Sequence, residues 1–420
     1  MTELLAPVMR RSGLERTAFV LFLLGAGAVP GIAVANVAFA LCGAAAIGWR
    51  LAAHRRGEDL LGPFRTPSPL KSPIGAFVLL TIASAVFSTL PSRSLPQVKG
   101  LGTFLLVVFA VALLKDREDV ALLVSLWRIT TLYLVVRGLL EWFAGADNLG
   151  ARISGGLSVY MTYAELLMSF ALLFAALALA EGRSVRGRLL DGVIATAAAA
   201  AVALSLTRNA YLGLVVGLAL LLALARPRLL VAAPIVLAVL AVVVPAAVRA
   251  RALSSFDPRD PTMRDRLLMW RAGASMVADR PLFGLGPKRV KDLYPVYRRP
   301  GFVLPNPGHL HSNPVTIAAE TGIPSLLAYL AFVAAFFVHA ARHLRRMADD
   351  GDRAITRGAM AVMAALFVSG LFEYSFGDVE VLMATLVIAS LPFALQWGEA
   401  QAEAPAAVAE PPVESVHGVP

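Results

Sequence analysis

The chain has little charge and almost no cysteine. Only 16% of its 420 residues are charged, whereas 58% are hydrophobic, and a soluble domain usually carries about a quarter charged residues. The shortage of charge therefore excludes a soluble fold for most of the chain. The only cysteine, Cys42, lies in an apolar stretch, which excludes an intramolecular disulfide and a cysteine-based metal site.

Motifs of soluble nucleotide-binding proteins are also missing. The sequence has no Walker or Rossmann fingerprint, and the GLG of PLFGLGPK indicates a turn rather than a nucleotide site. The net charge of +10 comes from Lys and Arg in short clusters between apolar runs. Such clusters set membrane topology, so we expect membrane lipids and no nucleic acid as partners.

Long apolar runs fill the chain. A helix needs about 20 apolar residues to cross a bilayer. The runs lie at 17–32, 34–52, 74–90, 99–114, 119–141, 159–180, 190–206, 209–225, 229–248, 313–341, 355–374 and 379–396. They predict an all-α polytopic membrane protein of about 12 transmembrane helices. The first run follows a basic stretch as in a signal peptide, but it lacks a small-residue cleavage site, so we expect a retained helix.

Basic linkers fall on the N-terminal side of this topology, which the positive-inside rule places in the cytoplasm of a bacterial inner membrane. Four regions follow: helices one to nine over 1–248, a periplasmic loop over 249–312, helices ten to twelve over 313–396 and a disordered cytoplasmic tail over 397–420. The loop is unusually basic, either because long loops tolerate charge or because it attracts an anion such as a lipid-linked pyrophosphate. Within it, Asp265 to Val277 predicts an amphipathic helix lying in the membrane interface.

Three places put costly polar residues near the bilayer. Arg208 lies between two apolar runs and serves either as an interfacial anchor or as a ligand for an anion. Arg266 lies one helical turn before Trp270 in a stretch that is either a surface helix or part of a site. His309 and His311 precede the tenth run, where a histidine could act as a general base. No nearby Asp, Glu or Cys cluster completes a metal site, so we predict none.

Four motifs over roughly residues 150–396 resemble the O-antigen ligase family. They are RISGGLSVYMTYAELL, SLTRNAYLGL, RLLMWRAGASMVADRPLFGLG and HLHSNPVTIAAETGIPSLLAYL. The last is the most specific, with His311 and Ser312 followed after nine residues by Gly322, although Ser325 departs from the usual Gly, Thr or Tyr. The resemblance implies a GT-C-like fold that transfers a glycan from undecaprenyl pyrophosphate to a lipid A core hydroxyl, without metal or cofactor.

The resemblance also implies roles for individual residues. His311 would be the catalytic base, and Arg208 and Arg266 would bind the donor pyrophosphate. Arg152, Arg271 and His309 are further candidates for substrate binding. Two alternatives stay open: a polymerase of the same superfamily, and a transporter of an anionic lipid-linked sugar. In a transporter, Glu141 or Glu165 could couple ions, although Glu165 could equally be hydrogen-bonded within the bundle.

Overall fold

The chain is nearly all helical in a computed structural model that describes residues 5–28, 31–232, 245–254, 260–301 and 307–403. The α-helices of these residues are α1 (Ala6–Met9), α2 (Gly13–Gly27), α3 (Ile32–His54), α4 (Lys71–Val86), α5 (Pro91–Ser94), α6 (Leu106–Leu113), α7 (Arg117–Phe143), α8 (Tyr160–Ala178), α9 (Val185–Leu204), α10 (Arg208–Ala225), α11 (Ala246–Leu253), α12 (Pro261–Asp279), α13 (Val290–Tyr297), α14 (Asn313–Leu344), α15 (Asp350–Ser369) and α16 (Val379–Glu403). Four 3-10 helices (Gly62–Arg65, Leu95–Leu105, Pro227–Ala232 and Ser375–Gly377) and a two-stranded antiparallel hairpin, β1 (Asp147–Asn148) with β2 (Ala151–Arg152), complete them.

Long apolar helices dominate the described residues, and seven helical segments there are long and apolar enough to cross a membrane. Lys71–Val86 and Val379–Leu395 are apolar but shorter. The prediction of an all-α polytopic membrane protein is thus confirmed. Most of the predicted span 229–248 (residues 233–244) lies outside the described residues, as do residues 404–420 of the predicted tail.

Helix α8 lies at the centre of the bundle. It is apolar around its whole circumference, and 83% of its most apolar window is buried inside the protein against α9, α10 and α15. Its one carboxylate, Glu165, accepts hydrogen bonds at Oε1 from Asn209, Ser369 and Ser375. These bonds satisfy a buried polar group that would otherwise be costly.

Helix α12 begins where the sequence supplies a helix start. The Asp260 side chain accepts hydrogen bonds from the backbone N–H groups of Thr262 and Met263, and Pro261 occupies the first helical position. The helix predicted over Asp265 to Val277 lies within α12. Its buried face, which includes Arg266 and Met269, packs on α14.

Helix α14 is broken at Gly322, where the backbone has a φ of +88°. The segment after α12 packs into this break. Ile323 N donates to Pro281 O at 2.8 Å, and Gly286 N donates to Glu320 O at 2.8 Å. A Cβ on Gly322 would lie 2.1 Å from Leu282 O, so both its conformation and this close approach require glycine. Gly322, the glycine of the fourth sequence motif, therefore joins α14 to the loop that carries α12.

Candidate functional site

Four arginines and a histidine from distant parts of the chain meet around one cavity of about 330 Å³. We call it the arginine cavity. Its lining includes Arg152, Arg208, Arg251, Arg266 and His311, with one carboxylate at Asp265. Arg152, Arg208, Arg266 and His311 were predicted from the sequence. A concave site with several guanidinium groups has the chemistry to bind a polyanion such as a diphosphate.

Arg208 is fixed by the start of a helix. The chain turns sharply at Leu206, whose φ is +56°, and Arg208 is the first residue of α10. Its Nη2 donates to Asp260 Oδ1 at 3.1 Å, and its Nη1 donates to Ser254 O at 3.1 Å. Burial alone would raise the pKa of Asp260, but the hydrogen bond and charge of Arg208 hold it below its usual value. Asp260 thus links Arg208 to the first turn of α12.

Arg152 and Arg251 add positive charge to the same cavity. The Arg152 guanidinium lies 4.4 Å from the centre of the Tyr160 ring, which holds it by a cation–π contact. Arg251 Nε donates to Leu206 O at 3.3 Å. Burial lowers the pKa of Arg251 to about 10, and the nearby charges of Arg208 and Arg152 act in the same direction. A bound anion would relieve the mutual repulsion of these guanidiniums.

Arg266 lies on the buried face of α12, with Nη2 3.8 Å from Glu373 Oε2. Burial lowers the pKa of Arg266, while the charge of Glu373 opposes that shift. Among the residues that the structure describes, the Nε atoms of Arg152 and Arg266 are buried without a hydrogen-bond partner. Buried donors without an acceptor are costly.

His311 is held in a strained position just before α14, with a φ of +46°. Asn313, two residues after His311, is held in place because its N–H donates to Gly370 O at 2.6 Å and its Oδ1 accepts from Phe376 N at 2.9 Å. His311 Nδ1 lies 2.9 Å from Glu373 Oε2 and 3.1 Å from Oε1. Burial favours a neutral Glu373, yet the hydrogen bond from His311 and the two histidines lower the pKa of Glu373 below its usual value.

The His309 ring lies beside the His311 ring at a tilt of 59°, but it lines a different cavity. The two ring centroids are 4.3 Å apart, and His309 Nε2 is 3.6 Å from Glu373 Oε1. Burial lowers the pKa of His309 to about 4, although Glu373 opposes the shift, so the ring is neutral at pH 7. It lines a second cavity of about 160 Å³ with three carboxylates, which we call the carboxylate cavity. The carboxylates are Glu165, Glu373 and Asp378.

His309, His311 and Glu373 also have ligand types that hold metal ions. Ligand atoms of the three lie within 4.8 Å of one another. The sequence reasoning found no third ligand because Glu373 is 62 residues beyond His311. The guanidinium of Arg266, 3.8 Å from Glu373, disfavours a divalent cation at this point. The short bond from His311 to Glu373 is instead typical of a hydrogen-bonded imidazole–carboxylate pair.

Arg271 lies apart from these residues. It is exposed on another face of α12, where it lines an open groove with Ser275 and Arg299. Sequence reasoning also missed three residues of the site: Arg251, Asp260 and Glu373. The signal for Glu373 was a carboxylate at the end of an apolar run, which a membrane protein rarely keeps without a role. Arg251 and Asp260 gave no signal that distinguished them from the other charges of the loop.

Comparison with known proteins supports the sequence motifs. Residues 193–330 match the family model described as O-Antigen ligase. This range includes Arg208, Arg266 and His311, whereas Arg152 and Glu373 lie outside it. No curated protein matches the chain. Over residues 193–330 the chain is therefore similar to the O-antigen ligase family, as its motifs predicted.

Proposed function

We propose that this protein is an O-antigen ligase that transfers a glycan from undecaprenyl pyrophosphate to a hydroxyl of the lipid A core. The family match supports a ligase or polymerase-like membrane protein. The observation that carries transfer from a lipid diphosphate is the convergence of four arginines and His311 on one cavity, and the spacing from His311 to Gly322 favours a ligase. That lining joins an anion-binding surface to a group that can accept a proton.

The donor diphosphate would lie against the guanidiniums of the arginine cavity. Negative charge grows on the diphosphate as its bond to the anomeric carbon breaks. Fixed guanidiniums stabilise that charge more strongly in the transition state than in the ground state, which lowers the barrier.

His311 would accept the proton of the acceptor hydroxyl. The hydroxyl oxygen forms the new bond to the anomeric carbon while its proton moves to Nε2 of His311. The electron pair of the broken sugar–phosphate bond goes to the leaving diphosphate oxygen, and His311 then releases its proton to water. Proton transfer by a positioned histidine contributes about 10² to 10⁴ in rate.

The remaining features of the proposal concern the membrane. We propose about 12 spans in a GT-C-like arrangement: the seven long apolar helices, the two shorter ones, α2, α15 and the predicted run 229–248. Positive-inside charge supports an inner-membrane location, with the arginine cavity facing the periplasm. The isoprenoid tail of the donor would then stay in lipid while its headgroup enters the cavity.

Two carboxylates considered for a transporter have structural partners. Glu141 accepts hydrogen bonds from the backbone N–H groups of Ser154, Gly155 and Gly156. Glu165 accepts hydrogen bonds from Asn209, Ser369 and Ser375 within the helix bundle. Both carboxylates are thus engaged in holding local structure, which favours transfer over ion-coupled transport.

The test uses purified protein with an undecaprenyl-pyrophosphate-linked glycan and a lipid A core acceptor, with and without chelator. Wild type should glycosylate the core in both conditions, and His311→Ala should lose activity by about 10² or more. The exposed Arg228 provides a control, since Arg228→Gln should leave the rate unchanged.

Other products would contradict this proposal in informative ways. Lengthening of the lipid-linked glycan without transfer to the core would identify a polymerase. No product from substrates that a known ligase accepts would refute a transferase. Full activity of His311→Ala would refute its role as base while leaving the reaction in place.

A further inference from the structure

We infer that Glu373 is a positioning residue that orients His311 and stabilises its protonated form during transfer. This inference rests on the proposed function and adds a residue that neither the sequence motifs nor the family match includes. Glu373 lies in the turn between α15 and α16, 43 residues beyond the end of the matched range at 330.

The geometry gives Glu373 a single orientation. Its side chain is 5% exposed, and both carboxylate oxygens lie within 3.1 Å of His311 Nδ1. The N–H of Tyr374 donates to Oε1 at 3.0 Å. A buried carboxylate with several fixed donors holds its place, so the imidazole that faces it is held as well.

This contact also sets which nitrogen of His311 carries the proton. An ionised carboxylate only accepts hydrogen bonds, so the hydrogen-bond network assigns a proton to Nδ1. Nε2 then keeps its lone pair and can act as a base. Because His311 lines the arginine cavity, its lone pair is available to a substrate there.

Glu373 also provides charge balance after proton transfer. When His311 takes a proton from the acceptor, an imidazolium forms near the four guanidiniums of the arginine cavity. Arg266 already lies 3.8 Å from Glu373 Oε2, so the new cation would be unfavourable without the carboxylate. The role requires the negative charge of Glu373, not only its hydrogen-bonding shape.

The experiment compares wild type, Glu373→Gln, Glu373→Asp and the exposed control Glu58→Gln in purified form. Steady-state transfer is measured from about pH 5 to 9, together with ¹⁵N spectra of the histidines. Glu373→Gln should lose kcat by about 10²-fold with little change in the KM of the donor. The acidic limb of its pH profile should move to lower pH, because the lost carboxylate no longer favours the imidazolium. Glu373→Asp should recover part of kcat, and Glu58→Gln should match wild type.

Several results would overturn the inference. A Glu373→Gln variant with wild-type kcat would show that the carboxylate is not needed. Equal loss in Glu373→Gln and Glu373→Asp with an unmoved pH profile would indicate a purely structural role. Loss of activity with chelator and its recovery with zinc would assign His309, His311 and Glu373 to a metal site. If wild type transfers no glycan, the proposed function fails. The ¹⁵N spectra then still test whether Glu373 orients His311, and an unchanged His311 tautomer in Glu373→Gln would refute that.

Discussion

The two faces of α12 carry arginines in opposite surroundings. Arg266 and Arg271 are five residues apart, which places them about 140° apart around the helix axis. Arg266 is buried beside Glu373 and the other guanidiniums, whereas Arg271 is exposed in an open groove. Two residues of the same type in one sequence motif thus have different electrostatic environments.

Burial is what distinguishes the two. Water screens the charge of Arg271, so an anion gains little by binding to it alone. Arg266 lies in a partly desolvated cavity, where its charge acts at short range on a bound group. We therefore expect the residues on the buried face of α12 to contribute to transfer, together with the loop before α14, which Trp270 contacts. Trp270 Nε1 donates to Leu310 O at 3.1 Å, next to His311.

The largest effect should come from Arg266. We expect Arg266→Gln to lower kcat/KM for glycan transfer by about 10² to 10³, because the transition state loses a fixed charge-stabilising donor. Steady-state kinetics on purified protein measure the change. A loss below threefold would mean that the buried face is no more functional than the exposed one.

Arg251 should give an intermediate effect. Arg251→Gln should raise the KM of the lipid-linked donor about tenfold, since a hydrogen bond to a charged group is worth about one order of magnitude in affinity. The KM of the acceptor should stay near its wild-type value. An effect confined to the acceptor would place the diphosphate elsewhere than in the arginine cavity.

The burial of His309 should make the free energy of unfolding depend on pH. The folded protein lowers the pKa of His309 to about 4, whereas an unfolded histidine titrates near pH 6.5. The unfolded state therefore binds a proton first as pH falls, so this contribution to stability is complete above about pH 6.5 and is lost between there and about pH 4.

Thermal unfolding of wild type and His309→Asn at pH 7 and pH 5 measures this effect. Between pH 7 and pH 5, the melting temperature of wild type should fall by about 2 °C more than that of the variant. Equal losses would show that His309 is solvated, as an exposed histidine would be.

Arg271 should give the smallest effect. We expect Arg271→Gln to retain transfer within about twofold of wild type, because exposed charges contribute little. It is the matched control for Arg266→Gln, with the same substitution on the same helix. If Arg271→Gln were as inactive as Arg266→Gln, the groove beside Arg299 would belong to the functional site.

Much of the helical framework could be predicted from the sequence. The predicted run 159–180 corresponds to α8 and the run 209–225 to α10, because the apolar length that spans a bilayer is a local property of the chain. Helix ends shifted by several residues where polar residues extend a helix, as at the start of α9. The start of α12 is indicated by Asp260 and Pro261, because an Asp followed by Pro is a local signal for a helix N-terminus.

The site was only partly predictable. Arg208, Arg266 and His311 stood out because they lie in recognisable motifs, and helical periodicity alone could have separated Arg271 from Arg266. Glu373 could not be paired with His311, since nothing in the sequence relates residues 62 positions apart. For the same reason, the sequence could not predict that potential metal-ligand atoms of His309, His311 and Glu373 lie close together.

By itself the sequence determined that the chain is an apolar helical protein with a basic loop and a ligase-like motif, because hydropathy, charge and short motifs are carried by neighbouring residues. The tertiary structure decided which charges are buried and which face each other. Arg152 from the hairpin, Arg208 from α10, Arg251 from α11 and Arg266 from α12 share one cavity only because the helices pack in this way. Electrostatic function depends on distance and desolvation, and packing fixes both.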